Sequence, residues 1–251
     1  MTRRLFLGWA IGLASIVSLL PHVAYSDIYL KQKQHTDATA IMGQEKPAQD
    51  TISEVWITPE RMAVSSDLQK IVINLKEKNI GFADHQAKTL MVMPLDFSGM
   101  AAAEGKGKKE QAEFKEFMGN MMSVKITVQP TNEKKKIGRW QCKKYNQIVE
   151  MRMGTIKSEI WATTEIRIDA ALYAKYNASM LAQMPGFAQN LDQALSEMKK
   201  IKGVHVLSKQ STEIIGQAFS SSNELLDVKE GAAPKSAFQL PNGYSRQNLF
   251  E

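Results

Sequence analysis

The chain has 251 residues, a formal charge of +6 and a single cysteine, Cys142. The basic excess is small and scattered, which excludes the dense basic stripe with stacking aromatics that is typical of nucleic-acid-binding proteins. One cysteine excludes an internal disulfide, so the fold must depend on its hydrophobic core, and the length suits one sizeable domain.

The N-terminus has the pattern of a cleavable secretory signal. Two arginines precede an apolar run over 5–20, and Ala24-Tyr25-Ser26 has the small-x-small spacing of a signal-peptidase site. The run is short for a membrane span, which favours cleavage over an uncleaved anchor. We predict cleavage after Ser26, no transmembrane segment after that, and a periplasmic or secreted protein. Loss of 1–26 lowers the formal charge from +6 to +4.

Short alternating segments separated by polar turns follow as far as Leu95. Apolar and polar residues alternate with a period of two, which predicts an antiparallel meander. The last segment is apolar at both parities, which predicts that both of its faces are covered. The predicted strands are 27–33, 51–58, 61–65, 69–75, 80–84 and 88–95.

The pattern changes after Asp96. A stretch rich in Gly, Ala and Lys at 98–109 predicts a loop, and the apolar spacing that follows predicts a helix at about 109–122. Sheet resumes at Val124, a charged turn is predicted at 130–136, and a parity switch at Lys143-Lys144 predicts a β-bulge.

A helix pair is predicted at about 169–200, with Asp169 as the N-cap of its first helix. The first helix runs to about Met184 and the second covers about 187–200. Gly203 allows entry into a strand at 204–207, and weaker strands at 212–218 and 224–228 precede a short final strand and a loose end.

Two six-residue stretches repeat one pattern, Ser-Glu, then three apolar residues with Trp at the centre, then Thr. They are Ser53–Thr58 and Ser158–Thr163, and their composition predicts two comparable strands of one sheet. If Val55 and Ile160 face the core, Trp56 and Trp161 lie on the other face and need a cover of their own. If the Trp face is the concave one, the two tryptophans line the cavity.

Residue types that carry catalysis or bind metals are sparse. The three histidines that follow the signal segment, His35, His85 and His205, lack zinc-ligand spacing, and no Gly-x-Ser-x-Gly elbow occurs. Cys142 is interpreted as a buried small hydrophobe, with a catalytic thiol as the less favoured alternative. We predict no enzyme activity, no catalytic or metal site and no cofactor.

Methionine is unusually frequent, with fourteen residues. Methionine packs irregular cores, and it also lines adaptable apolar binding surfaces. The first interpretation is ordinary packing between sheet and helices, and the second is a pocket for an acyl chain or similar ligand. The candidate ligand-lining residues are Trp56, Met91, Met93, Phe117, Met121, Met151, Met153 and Trp161.

The runs Glu54–Met62, Ile71–Leu75 and Asp84–Leu90 resemble an uncharacterised family of exported bacterial proteins, as do Cys142–Tyr145 and Glu159–Thr163. That family is distantly similar to the LolA/LolB lipoprotein-carrier superfamily. The resemblance implies an unclosed antiparallel β-barrel whose helical lid holds acyl chains. The insertion at 98–122 and the helix pair at 169–200 distinguish this chain from a LolA carrier.

Together these features predict one α+β domain over 27–251, a curved antiparallel β-sheet (an unclosed half-barrel) with helices packed on its concave face. The predicted function is non-enzymatic binding of an apolar ligand, a lipid or acyl chain, in a cavity between sheet and helices. The alternative is an envelope protein-interaction or sensor module without a stored ligand. The expected partners are therefore a lipid or an envelope protein, and not nucleic acid.

Overall fold

The structure is a computed structural model that describes residues 27–41, 44–95, 124–152, 154–181, 191–214 and 217–247. The signal segment predicted at 1–26 and the helix predicted at 109–122 lie outside these residues. The end of the first predicted helix of the pair and the start of the second lie outside them as well.

Most of the described chain forms one large β-sheet. Its strand order is β14-β8-β7-β6-β5-β4-β1-β13-β12-β11-β10-β9, and β2 pairs with β3 separately. The strands are β1 (Ile28–Thr36), β2 (Thr39–Ile41), β3 (Gln44–Lys46), β4 (Gln49–Ile57), β5 (Arg61–Ser65), β6 (Gln69–Asn74), β7 (Asn79–Asp84), β8 (Thr89–Pro94), β9 (Val124–Ile137), β10 (Trp140–Met151), β11 (Gly154–Thr163), β12 (Val204–Ile214), β13 (Gln217–Glu230) and β14 (Ser245–Arg246).

The sheet is antiparallel and unclosed, as the sequence predicts. The short contact of β14 with β8 is the one parallel pairing of the described strands, and β9 and β14 are the two edges. Helix is scarce in the described residues, which contain α1 (Ala170–Leu181), α2 (Leu191–Met198) and a short 3-10 helix at Lys235–Phe238. The α+β description therefore holds only loosely.

Two turns of the β4–β8 meander are built in the same way. Asn74 and Asp84 each end a strand, and the Oδ1 atom of each accepts the backbone N–H groups two and three residues later. Each turn then ends on a lysine with positive φ, Lys78 at 53° and Lys88 at 51°. Such side-chain bonds fix a tight reversal locally, so the turns predicted from polar residues here are correct.

The second half of the sheet is longer than the sequence indicates. The charged turn predicted at 130–136 is wrong, because these residues continue β9 to Ile137. An irregularity between Lys143 and Tyr145 absorbs the extra residues of β9, and the Thr131 hydroxyl donates to the Lys144 carbonyl at 3.0 Å. The bulge predicted at Lys143-Lys144 is therefore confirmed.

The two closing strands are also longer than predicted. The prediction of one strand at 212–218 is wrong, because β12 ends at Ile214 and β13 begins at Gln217. The predicted entry through Gly203 is confirmed. Its φ is +91°, and a Cβ there would lie 1.9 Å from the Thr163 carbonyl oxygen, so glycine is required.

The helices pack on one side of the sheet, here called the helix face. Asp169 caps α1, since its Oδ1 accepts the Leu172 N–H at 2.8 Å. Tyr176 of α1 is fully buried, and its hydroxyl donates to the Thr58 carbonyl at 2.6 Å. Small and flexible helix residues pack on valines and isoleucines of β9–β11 in one buried cluster that includes Ala174, Ala178, Ala194, Met198, Val128, Ile156 and Ile160.

The opposite side of the sheet, the outer face, is covered over β5–β8 by residues 232–247, here called the C-terminal strap. The Arg61 guanidinium carbon lies 5.1 Å from the centre of the Phe238 ring. Leu240 packs on Gly81, where an added Cβ would come within 2.5 Å of the leucine Cδ1. The strap then ends on β8 as β14. Near these contacts lie buried outer-face residues, namely Ala63, Val72, Ala83 and Leu90.

Candidate functional site

Charge is divided between the two faces of the sheet. On β1, the helix face carries Gln32, Gln34 and Thr36, whereas the alternating outer positions carry Lys31 and Lys33. Successive side chains of a strand point to opposite faces, so the division follows directly from the sequence once the register is known. The outer positions of β4 and β9–β13 likewise carry the charged residues of those strands along their central parts.

Outer-face charges form ion pairs between neighbouring strands. Lys33 Nζ lies 2.8 Å from Asp50 Oδ2, and Lys144 Nζ lies 3.1 Å from Glu159 Oε2. The hydrogen bond from Lys33 holds the pKa of Asp50 below its usual range, with His35 as a second donor. The Lys33–Asp50 pair is solvent-exposed, so it contributes little to stability, whereas Lys144 is half-buried.

The helix face of β4–β8 is apolar. Two rows of directly paired residues cross it. The first row is fully buried, and the second is only partly buried at Val64, Phe82 and Met91. The rows comprise Ile57, Met62, Ile73, Ile80 and Met93, then Val55, Val64, Ile71, Phe82 and Met91.

Uncharged hydrogen-bonding residues cross the helix face between this apolar region and the valines and isoleucines of β9–β11. One row of direct partners runs Gln147, Ser158, Gln210, Ser221 and Thr36 across five strands. We call this set the polar band, and most of its members are half-buried. It consists of Gln32, Gln34, Thr36, Thr51, Ser53, Gln147, Ser158, Ser208, Gln210, Ser221 and Asn223.

A cavity of about 210 Å³ lies where the polar band meets the helices. Its lining combines apolar residues such as Met198 with Gln147, Ser158, Gln210 and Asn177. Tyr173 stands edge-on to His205 with ring centres 5.4 Å apart. Burial lowers the pKa of His205 to about 4, so this imidazole is neutral at physiological pH.

A larger, open groove of about 690 Å³ lies over the far ends of β9–β13. The side chains there that point to the outer face include Asn146, Lys157, Lys209, Ser211 and Ser220. Most of the residues that line it are polar or charged, although apolar atoms supply most of its accessible surface. A mixed surface of this kind is typical of protein–protein interfaces.

The structure does not bring all the candidate ligand-lining residues to one face. Met93 is buried and Met91 partly buried on the helix face, and Met151 packs beside the β9–β11 cluster on the same face. Trp56 and Trp161 lie on the outer face, opposite Val55 and Ile160. Phe117, Met121 and Met153 lie outside the described residues.

The two tryptophans therefore have covers of their own. Trp56 packs against Tyr29, with ring centres 5.2 Å apart. Trp161 donates from Nε1 to Glu159 Oε1 at 2.8 Å, and Lys144 and Lys135 lie over its ring. The hydrogen bond from Trp161 is the main cause that holds the pKa of Glu159 below its usual range.

Cys142 and the histidines occupy separate places. Cys142 is buried, and burial raises the pKa of its thiol, which disfavours the nucleophilic thiolate. His35 bonds to Asp50, His85 to Tyr244, and His205 packs on Tyr173. Within the described ranges, no group of three or more His, Cys, Asp or Glu residues could hold a metal ion.

Sequence reasoning missed the polar band. It weighed methionine and tryptophan, whereas the residues that distinguish the helix face are Gln, Asn, Ser and Thr. A signal was present in β1, where Lys31, Lys33 and His35 alternate with Gln32 and Gln34. The band spans strands far apart in sequence, so only the register reveals it.

In comparisons with known proteins, no family model and no curated protein matches this chain. No helix in the described part of the chain is long and apolar enough to span a membrane. The likeness to lipoprotein carriers therefore depends on the sequence motifs alone.

Proposed function

We propose that this protein is a non-enzymatic, exported binding protein that holds an apolar ligand, a lipid or acyl chain, between the sheet and the helices. In this proposal the helix face is the concave side of a half-barrel, and α1 and α2 form part of its cover. The signal pattern at 1–26 supports a periplasmic or secreted location.

The main support is the apolar helix face of β4–β8. Ten apolar side chains in two rows face one side without a charged residue among them. Of the second row, Val64, Phe82 and Met91 remain partly accessible. Exposed apolar surface beside a buried core is a frequent mark of a ligand-binding groove.

Residues 27–251 can be tested with the uncharged dye Nile red and with native mass spectrometry for co-purified lipid. Met91→Lys places a charge on the accessible apolar row, where an unpaired ammonium is costly to bury with a ligand. We expect the wild-type protein to bind the dye and competing lipid to displace it. Met91→Lys should weaken Nile red binding by about ten-fold.

Val92→Lys is the matched control. Val92 is the next residue of the same strand, points to the outer face, and is 50% exposed. Nile red binding by this variant should match the wild type. Absence of dye binding and of co-purified lipid in the wild type would contradict the proposed function, as would equal losses in the two variants.

The second candidate is the envelope protein-interaction or sensor module, and the outer groove favours it. That groove is larger than the cavity under the helices and is lined by Lys157, Lys209 and serines. A photo-crosslinking residue at Ser220, in the groove, should then yield one defined protein adduct in intact cells. The same residue at Ile52, exposed elsewhere on the outer face, serves as the control and should yield none.

A further inference from the structure

We propose that the ligand is an amphiphile whose polar part is uncharged, such as an ester, amide or hydroxyl group, and that the polar band binds this part. This inference rests on the proposed function, because it assumes that the apolar helix face holds the ligand's hydrocarbon. It adds a chemical class for the other end of the ligand.

The position of the polar band, next to the apolar rows of β4–β8, is the first support for this inference. It begins beside the apolar rows, since Ser53 and Thr51 follow Val55 on the helix face of β4. It then crosses β1, β13, β12 and β11 to reach Gln147 on β10. Hydrocarbon lying on β4–β8 would therefore continue directly into a surface of amides and hydroxyls.

The uncharged composition of the polar band is the second support. The same strands supply an internal comparison, because their outer positions face water and carry Lys33, Glu159, Lys209 and Glu224. Solvation alone would permit charges on the helix face as well. The helix face instead carries only neutral donors and acceptors over the whole band, and these groups recognise polar atoms without a net charge.

One atom of the band lacks a partner within the described structure. Asn223 Nδ2 donates weakly to Gln32 Oε1 at 3.5 Å, while Asn223 Oδ1 is buried without a hydrogen bond. A buried acceptor that lacks a hydrogen bond is energetically unfavourable. A hydroxyl or amide N–H of a ligand would supply the missing donor, whereas a carboxylate or phosphate oxygen would not.

Two charged residues at the margins of the helix face, Lys143 and Glu197, have partners of their own. Lys143 Nζ lies over the Tyr145 ring at 5.8 Å. Glu197 of α2 accepts from Lys200 and from the Val128 N–H. The band itself contains no charged residue, so an ionised head group placed on it would lose its hydration without a counter-ion from the band.

The test compares two amphiphiles with the same hydrocarbon chain, 1-monododecanoylglycerol and dodecanoate, as competitors of Nile red at pH 8 below their micellar concentrations. We expect the neutral glycerol ester to displace the dye at a concentration about ten-fold lower than the carboxylate, because only the carboxylate must be desolvated without a partner. Equal potency, or stronger displacement by dodecanoate, overturns the inference and leaves the proposed function intact. Failure of both amphiphiles to displace bound dye, or failure of the dye to bind, overturns both.

A pair of isosteric variants on β10 locates the effect. Gln147→Glu puts a carboxylate on the helix face, and Asn146→Asp puts one on the outer face of the adjacent position. We expect Gln147→Glu to weaken displacement by the glycerol ester about ten-fold and Asn146→Asp to leave it unchanged. Thermal unfolding of both variants checks that each is folded. A folded Gln147→Glu protein with unchanged affinity overturns the assignment of the band, and Asn223→Asp provides a second variant should Gln147→Glu not fold.

Discussion

The two halves of the sheet share a helix face whose central positions are uncharged, but they differ on the outer face. In β4–β8, outer positions such as Ala63, Val72 and Ala83 are small, apolar and buried near the C-terminal strap. In β9–β13, outer positions such as Lys125 and Glu150 carry charges that pair across strands in water. The difference shows that the strap adds a cover to the outer face of the first half, whereas the outer face of the second half is open to water at positions such as Lys125 and Glu150.

Side-chain size explains how the strap reaches the first half. Gly81 leaves room for Leu240 to lie close to the backbone of the sheet. Larger outer residues would hold the strap away. The apolar pattern at both parities of β8 predicts two covered faces, and the structure confirms this in part, since Leu90 and Met93 are buried on opposite faces while Val92 is half exposed.

The largest expected effect tests the cover of the helix face over the first half. Tyr176→Ala removes a fully buried ring from the core that includes Ile57 and Ile73, so we expect it to lower the free energy of unfolding by about 3–5 kcal/mol. Chemical denaturation of residues 27–251 measures this. Tyr176→Phe keeps the ring and leaves the Thr58 carbonyl without its donor, so it should cost about 1–2 kcal/mol. Equal losses in the two variants would show that the ring itself contributes little.

The meander was the most predictable part of the fold. Its strands are short, its alternation is regular, and residues such as Asn74 and Asp84 set the turns through local hydrogen bonds. The second half was less predictable, because its strand lengths depend on pairing between distant segments. The run from Pro130 to Lys136 reads locally as a charged turn, yet pairing with β10 holds it in the sheet.

The candidate site was less predictable than the fold. Met91 and Met93 face the same way, because side chains two residues apart along one strand lie on the same face. Alternation also predicted that Trp56 and Trp161 take the face opposite Val55 and Ile160. It did not decide which of the two faces packs against the core. The polar band could not be predicted, since Gln147, Gln210 and Thr36 become neighbours only through the register.

The next effect tests the helix cover of the second half through pH. Burial lowers the pKa of His205 to about 4 in the folded state, against about 6.5 in the unfolded chain. The folded state therefore favours the neutral ring, and its advantage is present above about pH 6.5 and is lost as the pH falls toward 4. Because His205 keeps some exposure, the loss is at most about 3 kcal/mol.

Urea unfolding at a series of pH values with His205→Asn as the comparison isolates this contribution. The variant should lose less stability than the wild type between about pH 6.5 and 4. Asp50, Glu159 and Glu197, whose pKa values are lowered in the fold, lose their contributions mainly at still lower pH, and they do so in both proteins. Parallel pH profiles for the two proteins would contradict a neutral, enclosed His205.

The smallest effect tests the strap that distinguishes the two halves. Leu240→Ala removes the contact on Gly81 and should lower the free energy of unfolding by about 1–2 kcal/mol, with hydrogen exchange increasing in β6–β8 but not in β10–β12. Gln239→Ala, at an exposed neighbouring position, is the control and should change neither quantity.

A double-mutant cycle with Gly81→Ala then measures the contact itself. The added Cβ would lie 2.5 Å from Leu240 Cδ1, so the leucine must move in the single variant and need not move once it is alanine. We therefore expect Gly81→Ala to cost less in the Leu240→Ala background than in the wild type, with a coupling energy of about 0.5–1 kcal/mol. Additive costs would mean that the strap does not rest on Gly81.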